Sequence, residues 1–219
     1  MSQDVIKLLI DACIETCYMV GISALISALV GIPLGVILTV TDRGHILENK
    51  WLNHILGSIV NATRSTPFII LMVAIIPVTR LLVGTSIGTT AAIVPLTISA
   101  IPFIARIIES SLREVDPGVI EAAQSMGATP LDIIRKVLLP EAMPSIVLGL
   151  TLAIVSLIGC SAMAGALGGG GLGDLAIRYG YQRFRGDIML ATVVILIIQV
   201  QLVQTLGNKL STKLNKNKL

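Results

Sequence analysis

Residues 17–40 run for 24 positions without a single charged side chain. At about 1.5 Å per residue, a helix of that length reaches about 36 Å, enough to cross the hydrocarbon of a bilayer with some tilt. Further apolar runs follow at 68–83, 87–108, 143–164 and 188–206, separated by short charged stretches. Inside a run such as 191–198, apolar residues do not alternate with polar ones. Membrane β-strands alternate over segments of about 10 residues, so a barrel fits poorly. Backbone groups in lipid must be bonded within their own segment. The pattern therefore predicts an all-α, polytopic membrane protein of about five spans, forming one transmembrane domain over 1–219. The second span has an inner extension starting at 55, and a short amphipathic helix over 4–16 leads into the first.

Composition agrees: 54% of residues are hydrophobic and only 13% charged, against about 25% charged in soluble domains. Five spans leave no length for a soluble catalytic domain. The formal charge of +3 reports orientation, not nucleic-acid binding. With the C-terminal tail of Lys209, Lys213, Lys216 and Lys218 inside, eleven of the 16 Lys and Arg lie in or next to inside segments. Lys7, Arg80, Arg178, Arg183 and Arg185 remain outside. The expected topology is N-terminus outside, C-terminus inside. Asp4, Asp11 and Glu15 precede a run too long for a cleavable signal.

Gly31 and Gly35 make a small-xxx-small pattern that permits close helix approach, with Pro33 between them. Pro77, Pro95 and Pro102 interrupt later spans. Arg80 is expected in a loop over 79–86. Residues 165–187 read as a glycine-rich, then charged, external loop, flexible or tightly turned. Cys13, Cys17 and Cys160 read as small packing residues, and His45 and His54 lack the clustered ligands of a metal site. Glu109 lies one turn after Arg106 and is expected to pair with it.

The stretch 109–141 is different: a helix-forming, water-soluble island between spans. Asp116 is a candidate N-cap with Pro117 at the first helical position. Gly127 offers the left-handed turn that ends this helix. Thr129 caps a second, with Pro130 at its start and Asp132 in its first turn. Leu131, Ile134 and Leu138 supply an apolar face, and Pro140 is expected to stop the helix. The result is a hairpin of two short helices. Small Ala122 and Ala123 would let another protein's surface come close to the backbone. The island holds more acids than bases, which disfavours a DNA-reading role.

Glu121, Ala122, Ala123, Gly127, Val137, Leu139 and Pro140 fall at the spacing of the cytoplasmic loop signature of permease subunits of ATP-binding-cassette importers. The segments at 64–70, 83–88, 92–97, 102–106, 126–130, 161–163 and 170–173 further resemble the methionine-importer permease family, over about 17–206. The resemblance implies a bacterial inner-membrane permease working as two copies with two ATPase subunits. The hairpin would be the coupling helix, docking on the ATPase through those seven residues. An extracytoplasmic binding protein would deliver methionine, and membrane lipid surrounds the spans. ATP and magnesium would belong to the partner; this sequence lacks a Gly-x-x-x-x-Gly-Lys-[Ser/Thr] loop.

By the same resemblance, Ser161 and Met163, near the outer end of the fourth span, are candidate pathway or gate residues. The alternative for Met163 is ordinary helix packing. Asp174, Arg178, Arg183, Arg185 and Asp187 would face the binding protein or simply water. The nearest rival reading is the same machine with another cargo, a polar amino acid or a phosphonate. An intramembrane enzyme would need paired ionisable groups that the spans lack, and a membrane scaffold would not need a proline-broken bundle.

Overall fold

The computed structural model describes residues 3–216, and the regular elements among them are all helices joined by short turns. In chain order the helices are α1 (Gln3–Val40), α2 (Lys50–Ser65), α3 (Phe68–Ala74), α4 (Ile76–Val83), α5 (Thr89–Arg113), α6 (Pro117–Ser125), α7 (Pro130–Ile133), α8 (Leu139–Ala164), α9 (Gly171–Leu175) and α10 (Gly186–Lys216). Among the described residues, four helical stretches are long and apolar enough to cross a membrane: Gln3–Val40, Thr89–Arg113, Pro130–Gly169 and Gly186–Asn215. The bent pair α2 and α3 makes a fifth if it counts as one span.

Several expected boundaries move. The lead-in helix and the first span are one rod, because no glycine or proline separates residues 4–16 from 17–20. The expected loop at 79–86 is half helix. The chain breaks at Ile75 (φ −94°, ψ 9°), and Pro77 sits near the start of α4, where its missing N–H is no loss. Arg80 lies in that helix, which closes when the left-handed Gly84 donates its N–H to the Arg80 carbonyl at 2.8 Å.

Pro140 does not stop the second island helix. α7 runs through a π turn, Ile134–Leu138, directly into α8. Proline lacks a donor, and its ring collides with the carbonyl four residues back, so it strains a plain α-helix. Here the widened turn takes up that misfit: the Leu139 N–H reaches the Ile134 carbonyl, five residues back. The expected apolar face shifts with it. Ile133 and Leu138, five apart, are fully buried, while Leu131 is 56% exposed.

The helices contribute to two compact groupings. The first draws on residues up to Ser27, Thr66–Ala100 and Ala153–Gln204. Its core gathers Met19, Met72, Leu96, Leu157 and Ala164, and a second cluster joins Leu9, Leu172, Leu175 and Ile188. The expected external loop at 165–187 is a tight glycine turn only at its start, where the chain kinks at Leu167 and Gly168 (φ 87°) and Gly170 and Gly171 also hold positive φ; from there α9 and a π turn at Ala176–Tyr181 make it helical. Gly171, Leu172, Gly173 and Leu175 are buried. The first N–H groups of a helix have no partner within it. Here α1 supplies them: Glu15 Oε2 accepts from Gly171 N–H at 2.7 Å and Thr16 Oγ1 from Leu172 N–H at 2.9 Å.

Within this grouping α1 also lies along α5. Ser23 and Ser27 donate to the Ile93 and Thr97 carbonyls at 3.4 and 3.1 Å. The second grouping draws on Ala28–Ser65, Ile101–Leu152 and Thr205 onward. There the same face of α1 continues with Gly31 and Gly35. A Cβ on Gly31 would lie 3.0 Å from the Ile101 carbonyl oxygen, and one on Gly35 would lie 2.5 Å from that of Ala105. One small residue every four positions thus lets the two backbones come together, with hydroxyls bonding where serine stands. Leu38, Val60 and Ala105 form the adjoining core.

Candidate functional site

The hairpin follows the C-terminal end of α5. Asp116 accepts from Gly118 N–H at 2.8 Å and Pro117 opens α6, as the sequence indicates. The helix ends in a Schellman motif: Ala128 N–H reaches the Ala123 carbonyl at 3.1 Å, and Gly127 N–H reaches that of Gln124 at 2.9 Å. Gly127 holds φ at 80°. Thr129 then caps α7, accepting from Asp132 N–H and donating to its carboxylate, while Asp132 pairs with Lys136 at 2.7 Å. Both caps are local, so each half of the hairpin is fixed by its own sequence.

The seven signature residues do not share one face. Glu121, Ala122, Gly127 and Pro140 are exposed, Val137 and Leu139 are half-buried, and Ala123 is buried. Ala122 alone of the two alanines therefore offers a small surface; Ala123 is turned inward, and α6 lies against the π turn. The structure adds Val119 and Met126, which the sequence reading did not single out as contact residues, and turns Leu131 of the expected apolar face outward. Val119, Met126 and Leu131 are 44%, 82% and 56% exposed. The signal was available at Met126, which lies inside the 126–130 motif next to the turn glycine.

Beneath the hairpin sits an ion-pair network. Glu109 is the one buried charged side chain among the described residues, 4% exposed. Both its oxygens are used: Arg106 Nη1 meets Oε2 at 2.5 Å, as expected from the spacing, and Arg113 Nη2 meets Oε1 at 2.7 Å. Arg106 Nη2 also donates to the Gly57 carbonyl and to Asn61 Oδ1 in α2. Arg113 also holds Asp42, in the turn after α1, at 2.8 Å. One carboxylate thus ties α2, the end of α1 and the end of α5 three residues before the hairpin begins.

The candidate gate residues separate. Ser161 is buried and donates to the Ile158 carbonyl of its own helix at 2.7 Å. Met163 is 48% exposed. Among the charges of 165–187, Arg178 pairs with Asp174 and Arg185 with Asp187, while Arg183 stacks on the Tyr179 ring at 4.5 Å.

Residues 31–215, which hold the hairpin and four of the five apolar runs entirely, match the family described as binding-protein-dependent transport system inner membrane component. The chain belongs to this family. As a permease it is 61% identical to the probable D-methionine transport system permease protein MetI of Vibrio cholerae, over 93% of this chain and 90% of that one. It is 44% identical to the methionine import system permease protein MetP of Bacillus subtilis, over 82% and 81%. A solved structure of the MetNI methionine ABC transporter in an inward-facing conformation superposes with a TM-score of 0.96 at 47% identity, covering 98% of this permease and 99% of that chain. An amino acid ABC transporter solved with histidines shares the fold, with a TM-score of 0.78 at 22% identity.

The turn of the permease hairpin gives a clean test of backbone strain. A Cβ at Gly127 would meet nothing within 4 Å, so only the positive φ resists substitution. Gly127→Ala should cost about 1–2 kcal/mol locally. Limited proteolysis in detergent should then cleave within 117–130 faster, with the spans intact.

Proposed function

We propose that this permease is the membrane subunit of an ATP-driven importer whose cargo is methionine. The observation that carries the reading is the match to the MetNI methionine ABC transporter, at a TM-score of 0.96 over 98% of the chain. Relatives named as methionine transport permeases, from 44% to 61% identical, support the same cargo. Two copies would enclose the path. Two ATPase subunits, which bind ATP and magnesium, would dock on the hairpins. A binding protein would deliver methionine on the outer side. The excess of Lys and Arg in and beside the 41–54 turn, the hairpin and the C-terminal tail supports an orientation with those segments in the cytoplasm and the N-terminus outside. Lys218 of that tail lies outside the described residues.

In this reading Met126, Val119 and Leu131 seat the hairpin in the ATPase, and Glu121 borders them. Closure of the ATPase on nucleotide would push the hairpin. Because α7, the π turn and α8 are one continuous helical run, the push would reach the span that carries Met163. The test is co-purification and uptake. The wild-type chain should pull down its ATPase and support methionine uptake into vesicles. Glu121→Lys and Gly127→Asp should lose both. Normal assembly and uptake in both variants would sink the proposal.

Met163 would serve as a seal, since a flexible thioether fills irregular gaps and repacks. Met163→Ala should raise ATP hydrolysis that is not matched by uptake. An unchanged ratio of hydrolysis to uptake would remove Met163 from the gate.

A further inference from the structure

A cavity of about 390 Å³ opens beside the 165–187 region, lined by Glu15, Ile87, Thr89, Asp174 and Arg178, with the backbone of Gly88, Gly168 and Gly170. It differs from another groove of the same grouping, which is lined almost wholly by apolar side chains of α1 and α10. Three ionisable groups of both signs converge on one hollow, and none of them belongs to the hairpin or to its ion-pair network.

The bonds already made leave specific capacity. Glu15 Oε2 is engaged by Gly171 N–H at 2.7 Å. Its Oε1 makes no contact of hydrogen-bond length to the chain among the bonds described. Arg178 uses Nη2 on Asp174 Oδ2. A guanidinium carries five donors in a planar fork, so most of its capacity remains. That fork matches a carboxylate bidentately. A second carboxylate oxygen on Glu15, with Asp174 beside it, matches an ammonium. Gly170 leaves the rim open: a Cβ there would come within 2.9 Å of both Glu15 Oε2 and Thr89 Cγ2, closing the space above the carboxylate. Ile87, 68% exposed, supplies an apolar wall.

We infer that this cavity is a binding site for a zwitterionic α-amino acid. The ligand's carboxylate lies on Arg178, its ammonium on Glu15 and Asp174, and its side chain on Ile87. The inference rests on the importer reading and deepens it. The cavity is a station on the permease itself, at the end of α1 assigned to the outer side, which receives cargo after the binding protein opens. Its charges give the permease its own means of telling an amino acid from a carboxylic acid or an amine of the same shape. Because Glu15 also caps the helical segment at 171–181, a ligand ammonium on Glu15 acts directly on the group that holds this segment to α1.

The experiment uses the intact permease–ATPase complex in detergent, without binding protein, and equilibrium dialysis of radiolabelled L-methionine. Glu15→Gln keeps an acceptor for Gly171 N–H but removes the charge; Arg178→Gln and Asp174→Asn remove the other two. The expected result is weak, saturable binding, with affinity falling about tenfold in Glu15→Gln and in Arg178→Gln, the scale of one lost charged hydrogen bond. Methionine methyl ester and 3-(methylthio)propionate, each lacking one charge, should compete at least about tenfold more weakly than methionine. Binding that survives all three substitutions lies elsewhere in the complex and overturns the inference, as does equal competition by the singly charged analogues. Absence of saturable binding overturns it too. Uptake with binding protein, run in parallel, separates the two failures. Wild-type uptake of methionine without charge-dependent binding removes this site and leaves the importer reading intact. No methionine uptake by the wild type removes the importer reading itself.

Discussion

Glu109→Ala will destabilise the permease by about 3 kcal/mol, the lower end of the range for removing one partner of a buried ion pair. The alanine leaves Arg106 and Arg113 without the carboxylate that each now meets within 2.7 Å. Arg113 is half-exposed and recovers some hydration. Arg106 is 24% exposed, its Nε is already buried without a partner, and it stays committed to α2 through Gly57 and Asn61. The apparent melting temperature in detergent should fall clearly. Glu109→Gln, which keeps the shape and one acceptor, should fall less. The double variant Glu109→Ala with Arg113→Ala should lose less than the sum of the two single changes, because both remove one shared contact. Strict additivity would mean that the network is only a set of independent surface pairs.

Gly35→Leu is the second large effect. Even a bare Cβ there lies 2.5 Å from the Ala105 carbonyl oxygen and 2.6 Å from Ile108 Cβ, and the contact is backbone, which cannot rotate away. Overpacking of this kind costs about 1–3 kcal/mol, occasionally more. At this position α1 and α5 must separate, so the upper end or beyond is expected. Gly21 provides the control, since it lies on the same helix with nothing within 4 Å of its would-be Cβ. Gly21→Ala should be neutral or gain up to about 1 kcal/mol from helix propensity. Thermal melts of Gly21→Ala and Gly35→Ala side by side would decide the point. Equal stability of the two would show that the seam is not tight.

The hairpin could be read from the sequence because everything that shapes it is local. Asp116 before proline, Gly127 and Thr129 before proline each act within a few residues, and each does what its chemistry says. Gly31 and Gly35 were equally readable, since a four-residue spacing of small residues has one main use on an apolar helix. The misses share the opposite cause. Residues 165–187 looked like a loop because glycine disfavours helix, yet from Gly171 on they are helical, and the first N–H groups of α9 are held by Glu15 and Thr16, 156 positions away in sequence. No window around the glycines contains that information. Pro140 looked like a stop because proline usually is one, and only the π turn before it shows otherwise. Ala123 looked available because it is as small as Ala122, but α6 turns that position inward.

The π turn at Ile134–Leu138 has a further consequence, one of rotational phase. A π turn is in effect one extra residue carried within an α-helix. Each residue turns the helix by about 100° and advances it by about 1.5 Å. Excising one residue from 134–138 would let the rod close as plain α-helix, apart from the strain at Pro140. The hairpin end would then swing by about 100° relative to α8 and draw in by about 1.5 Å. Met126 and Glu121 would keep their caps and their local geometry and yet point in another direction. A single-residue deletion here would therefore change the aim of the hairpin without changing the hairpin, something no substitution in that turn could do.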